Sequence, residues 1–156
     1  MMHGVRMKLA EALILRADTQ KNLAQIRARL VANAKVQEGD SPAESPTFLL
    51  AELDEKTVQL EALIKQINKT NALTVIDGKS LADMLVERDV LITKVATLRE
   101  FAKEAADKLD RYSTKEIKVL STVNVAEMQK NIDALSKEVR EMDTRIQGLN
   151  WTTETI

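Results

Sequence analysis

The chain has no cysteine, one histidine, two prolines and four glycines in 156 residues, and only 3% of it is aromatic. Without cysteine there is no disulfide, no thiolate nucleophile and no cysteine-bound metal, and a reducing compartment is allowed. The lone histidine, His3, cannot supply the paired Glu-x-x-His motifs of a di-metal bundle or the base of a serine-type hydrolase set in the main body. No stretch reaches the roughly 18 consecutive apolar residues that signal a spanning helix. Leu9 to Leu15 is broken by Glu11 and followed by Arg16 and Asp18, so it does not read as a signal peptide. Few aromatics leave burial to aliphatics and alanine, and few glycines and prolines leave few places to turn. Both of these scarcities point to long helices, and without a spanning or signal segment the cytoplasm is the default location expected.

What is present is periodicity. Val125, Met128, Ile132, Leu135, Val139, Met142, Ile146 and Leu149 are spaced alternately by three and four. That is the a/d seam of a coiled-coil-type helix, and so narrow a stripe needs a facing helix. Ser136 is expected on its far face. A second seam runs Leu81, Met84, Arg88, Leu91, Val95, Leu98, Ala102, Ala105, Leu109 and Tyr112, with one charge inserted. Arg88 has two readings: a buried charge that sets register or partner, or an arginine whose stem packs while its head reaches water.

Four helices follow from these patterns and their punctuation. The first covers about 6–36, with Ala12, Leu15, Leu23, Ile26, Leu30 and Ala34 near one face. The second covers about 46–71, and the third runs from Leu81 to about Arg111. The fourth opens after the capping pair Asn124 and Glu127. Ser41-Pro42-Ala43-Glu44 is a capping-box start for the second helix, and Ser45-Pro46 offers a start four residues later. Asp77-Gly78 signals a turn after the β-prone Thr74-Val75-Ile76, and the alternation over 117–122 reads as a short strand. Asn22, Asn33, Asn68 and Asn71 either form polar layers or mark helix ends. Short connections make sequential helices antiparallel. The fold expected is therefore all-α: a bundle of four long antiparallel helices with a short β element at the connections.

Several chemical motifs weaken on inspection. Gly78-Lys79-Ser80 precedes a helix as in a phosphate-binding loop, but position 73, where that loop needs glycine, is Leu73. Net charge is −1, so no global field draws the chain to nucleic acid or anionic lipid. The stretch 5–36 is basic, with seven Lys or Arg against Glu11 and Asp18. It offers phosphate-backbone binding, yet pairing with the acidic remainder is the simpler account. Its apolar face lacks the Trp or Phe anchors of a membrane-surface helix.

Met7-Lys8-Leu9-Ala10-Glu11-Ala12-Leu13, Asn33-Ala34-Lys35-Val36-Gln37-Glu38-Gly39, Ile67-Asn68-Lys69-Thr70-Asn71, Glu87-Arg88-Asp89-Val90-Leu91 and the ending Leu149-Asn150-Trp151 together resemble an uncharacterised bacterial helical family whose members often carry the label septicolysin. The resemblance covers nearly the whole chain from Met7. It implies a helical fold and, through the label, a cytolytic pore-forming activity. Residues 1–6 are then expected to be an extension from an upstream start or from cloning, and 7–156 a single helical-bundle domain.

The reading that results is a self-assembling structural or interaction protein, not an enzyme, with no catalytic residue, cofactor or metal. Its partner is itself, a homo-oligomer, with room for an unknown protein partner and without nucleic acid or stable membrane insertion. The helix–helix interface is expected at Leu91, Val95, Leu98, Met128, Ile132, Leu135, Val139, Met142 and Ile146, with Arg88 as a polar register residue. A septicolysin-like membrane-active protein is the alternative, and nucleic-acid binding through the first helix is a weaker one.

Overall fold

The computed structural model of the chain describes residues 6–107 and 117–156. The elements run α1 (Leu9–Ala32), α2 (Pro46–Leu73), β1 (Val75–Ile76), β2 (Lys79–Ser80), α3 (Leu81–Ala106) and α4 (Val125–Thr152). Three quarters of the described residues are helical, so the expected all-α class with four long helices and a small β element is the one found. The described chain divides into two compact units. One holds the chain up to Leu81 together with Gly148–Ile156, and the other is Ala82–Gln147.

In the first unit α1 and α2 pack on each other, burying Leu9, Ala12 and Ile26 from one helix and Leu49, Leu63 and Ile67 from the other. The start of α2 lies beside the end of α1. Arg29 donates through Nε to both carboxylate oxygens of Glu44, each at 3.0 Å, and its Nη1 stands 3.8 Å from Glu52. That hydrogen-bonded guanidinium holds the Glu44 carboxyl below its ordinary range, and Glu44 in turn raises Arg29. Asn33 closes the corner: its Nδ2 donates to Arg29 O at 2.9 Å, and its Oδ1 accepts the Glu44 N–H at 3.0 Å. Asn33 thus marks a helix end. The connection settles which start α2 uses. Glu44 is drawn to Arg29, the Ser41 capping box does not form, and the helix begins at Pro46 with Ser45 as its flanking residue. α1 is also shorter at both ends than the periodicity suggests.

Asp77-Gly78 makes the turn its chemistry demands. Both residues have positive φ, 53° and 80°, the two-residue hairpin geometry that Asp-Gly favours. Val75 pairs with Ser80 and Ile76 with Lys79, which consumes the glycine-lysine-serine segment as a hairpin that leads into α3. Residues 117–122 form no strand. Ile117, Val119 and Leu120 are exposed, and alternation alone does not make a strand unless a second strand pairs with it. The α4 cap is as expected, with Asn124 Oδ1 accepting the Glu127 N–H at 3.1 Å. The seam positions Leu109 and Tyr112 lie outside the described residues.

A feature absent from the sequence reading ties the two chain ends together. Lys8 and Glu154 form an antiparallel bridge, Leu9 N donates to Thr153 O and Thr155 N to Met7 O, both at 2.8 Å. Thr155 Oγ1 donates to Met7 O at 3.1 Å and accepts from Gln66 Nε2 at 3.0 Å. Thr70 Oγ1 accepts the Ile156 N–H at 3.0 Å and donates to Gln66 O at 2.8 Å. Thr70 and Thr155 are buried, and the cluster satisfies them fully. Among the described residues no buried side-chain nitrogen or oxygen lacks a partner.

Candidate functional site

The second unit contains the paired seams. Val95 and Ala102 of α3 and Ile132 of α4 form its buried core, with Leu91, Leu98, Met128, Leu135 and Val139 packed against it and only partly covered. Ile146 is buried, and Met142 is half-buried at the edge of an open groove. The helices are antiparallel: Arg88 Nη1 donates to Asp143 Oδ1 at 2.9 Å, and Arg99 Nη2 donates to Ser136 Oγ at 2.7 Å.

Arg88 combines features of both readings. Its side chain is only 19% exposed, yet it ends on a carboxylate that is about half in water, so the stem packs while the head is paired across the helices. A second contact, Nε to Asp89 Oδ1 at 3.2 Å, holds the guanidinium from its own helix.

Ser136 corrects the expectation that it faces away, because it is 8% exposed and accepts from Arg99. Helical geometry gives the reason. A heptad stripe on a 3.6-residue helix drifts by about 20° per heptad, so along α4 the position next to d moves progressively into the contact. Ser136, Asp143 and Asn150 all occupy that position, and Ser136 and Asn150 are buried. The contact face of α4 is therefore the wider a/d/e stripe of a globular-protein helix. Strict a/d counting misses it, whereas the recurrence of Ser, Asp and Asn every seventh residue was a signal that could have found it.

The two flanks of the pair differ. At 100° per residue, Arg88 and Arg99 lie on one flank of the α3 seam, and Glu87, Val90 and Lys94 lie on the other. The first flank is closed by the two polar ties. The second opens into a groove of about 450 Å³ lined by Val86, Glu87, Val90, Leu91, Lys94, Glu138 and Met142. Val86 and Val90 are 61% and 63% exposed. Among the described residues no group of three or more His, Cys, Asp or Glu could hold a metal ion, and no helix is long and apolar enough to cross a membrane.

A family model described as a family of unknown function (DUF6847) matches residues 16–155. The chain belongs to that family. A crystal structure of a functionally unknown conserved protein from Corynebacterium diphtheriae is 41% identical with a TM-score of 0.90, over 97% of this chain and 99% of that one. No curated protein matches. Both descriptions leave function unknown, and neither carries the septicolysin label or an activity.

Proposed function

We propose that this member of the family is a cytoplasmic, self-assembling helical protein, a structural or interaction component with no chemistry of its own. The observation that supports this reading is the incomplete cover of the α3–α4 seam: Leu91, Leu98, Leu135 and Val139 are only partly buried, and exposed Val86 and Val90 extend their apolar surface. The described residues of this unit supply two helices and no third layer, and contiguous apolar surface of this kind marks an interaction site. Sedimentation velocity across micromolar concentrations tests the reading. Species heavier than the 17.5 kDa chain are expected, and a monomer at every concentration would overturn it.

The septicolysin-like reading is the alternative. Dye release from anionic vesicles would promote it, and none is expected from the soluble protein. Nucleic-acid binding through α1 is weaker still, because Arg29 is already engaged by Glu44 and Glu52 and Lys8 by Glu154. A salt-dependent gel shift would revive it.

A further inference from the structure

We infer that the open flank of the α3–α4 pair takes the same flank of a second copy of this chain, closing a four-helix layer across a two-fold axis. The inference rests on the self-assembly reading and deepens it by naming the surface and its occupant.

Charge order on the two rims carries the argument. The ties Arg88–Asp143 and Arg99–Ser136 fix the antiparallel register, and that register sets Lys94 level with Glu138 and Glu87 level with Arg145. All four stand on the open flank by their helical positions. One rim therefore reads acid then base along α3, and the rim beside it on α4 reads base then acid at the same levels. Such a flank is complementary to itself, which an isologous two-fold contact requires. With the axis along the helices, every residue keeps its level, and Lys94 of one copy meets Glu138 of the other. With the axis across them, midway between the two levels, Lys94 meets Glu87 instead. Either way opposite charges frame the apolar strip of Val86, Val90, Leu91 and Met142, and no like charges oppose. A partner of uniform charge would meet one repelling residue for each attracting one on both rims, so a second copy fits this flank better.

The test uses a reversed-charge chain: Glu87→Lys, Lys94→Glu, Glu138→Lys and Arg145→Glu together. Complementarity between the two rims of one chain is kept, so the fold is not at stake, and self-association should match the native protein. Against a native chain every rim contact becomes like on like. When the two are mixed, native mass spectrometry should show only the two homo-oligomers, because like-charge juxtaposition excludes the wrong partner. Val90→Glu, at an exposed position, should keep the helix content and raise the dimer dissociation constant at least about tenfold, the effect of about 1.4 kcal/mol. Mixed species at their statistical share, or unchanged assembly of Val90→Glu, would overturn the flank while leaving self-assembly standing. A native protein that is monomeric throughout would remove the self-assembly reading, and this inference with it.

Discussion

Ile132 is the position at which the packing of the second unit can be weighed. It has no exposed surface and sits against Val95 and Ala102. Ile132→Ala removes three carbons. At about 0.8 kcal/mol per buried methylene that is roughly 2.4 kcal/mol of transfer free energy. A cavity term adds to it, because Ala102 is already small and a rigid helix pair cannot close the gap. The expected cost is about 3–4 kcal/mol, inside the range of about 2–5 for such truncations. Leu135, one turn away, is only partly covered, so Leu135→Ala should cost about half the transfer value, roughly 1–2 kcal/mol. Lys130→Ala, on an exposed position of the same helix, should stay under about 0.5 kcal/mol. Urea melts followed by far-UV circular dichroism, at one protein concentration and with equal slopes, rank the three. Repeating the Leu135→Ala melt at several concentrations adds a second readout, since a contact at an assembly interface costs more where assembly is populated. Equal stabilities for Ile132→Ala and Lys130→Ala would refute the claimed core.

Three further outcomes are expected. Thr155→Val keeps the shape of a buried side chain but leaves the Gln66 amide without its acceptor. It should cost about 1–3 kcal/mol and speed hydrogen exchange at the Leu9 N–H, which bonds Thr153 O. Asp143→Ala leaves the mostly covered Arg88 side chain with Asp89 alone and should cost about 1 kcal/mol, discounted because the carboxylate is half in water. Adding Arg88→Met should recover most of that loss, so additive double-mutant data would argue against the tie. The depressed Glu44 pKa, caused first by its hydrogen bond from Arg29, contributes stability above the ordinary carboxylate range. That stability is lost as pH falls through the lowered folded value. Thermal melts of native and Glu44→Gln protein should differ at neutral pH and converge well below about pH 4, whereas a constant gap would show that the pair does not titrate as described.

Local chemistry settled much of this molecule in advance. The 3–4 rhythm of α3 and α4, the Asn124 cap and the Asp77-Gly78 turn each depend on residues within one or two turns of chain, and each is found. The seam residues Val95, Ala102, Ile132 and Ile146 carry their burial in their spacing. What the residues could not say alone concerns partners far along the chain. Ser41 and Ser45 are equivalent starts until Arg29, fifteen residues before Glu44, captures that carboxylate. The strand-like alternation at 117–122 has no meaning without an edge to pair with. Thr155 is an ordinary polar residue until Met7 and Gln66 converge on it. Ser136 and Asp143 belong to the helix contact only because the heptad stripe drifts around α4 and Arg99 and Arg88 reach across to meet it. Periodicity sets which face of a helix is apolar. The antiparallel register of α3 against α4 decides which charges meet, because a hydrogen bond between helices is a fact about two segments and neither one contains it.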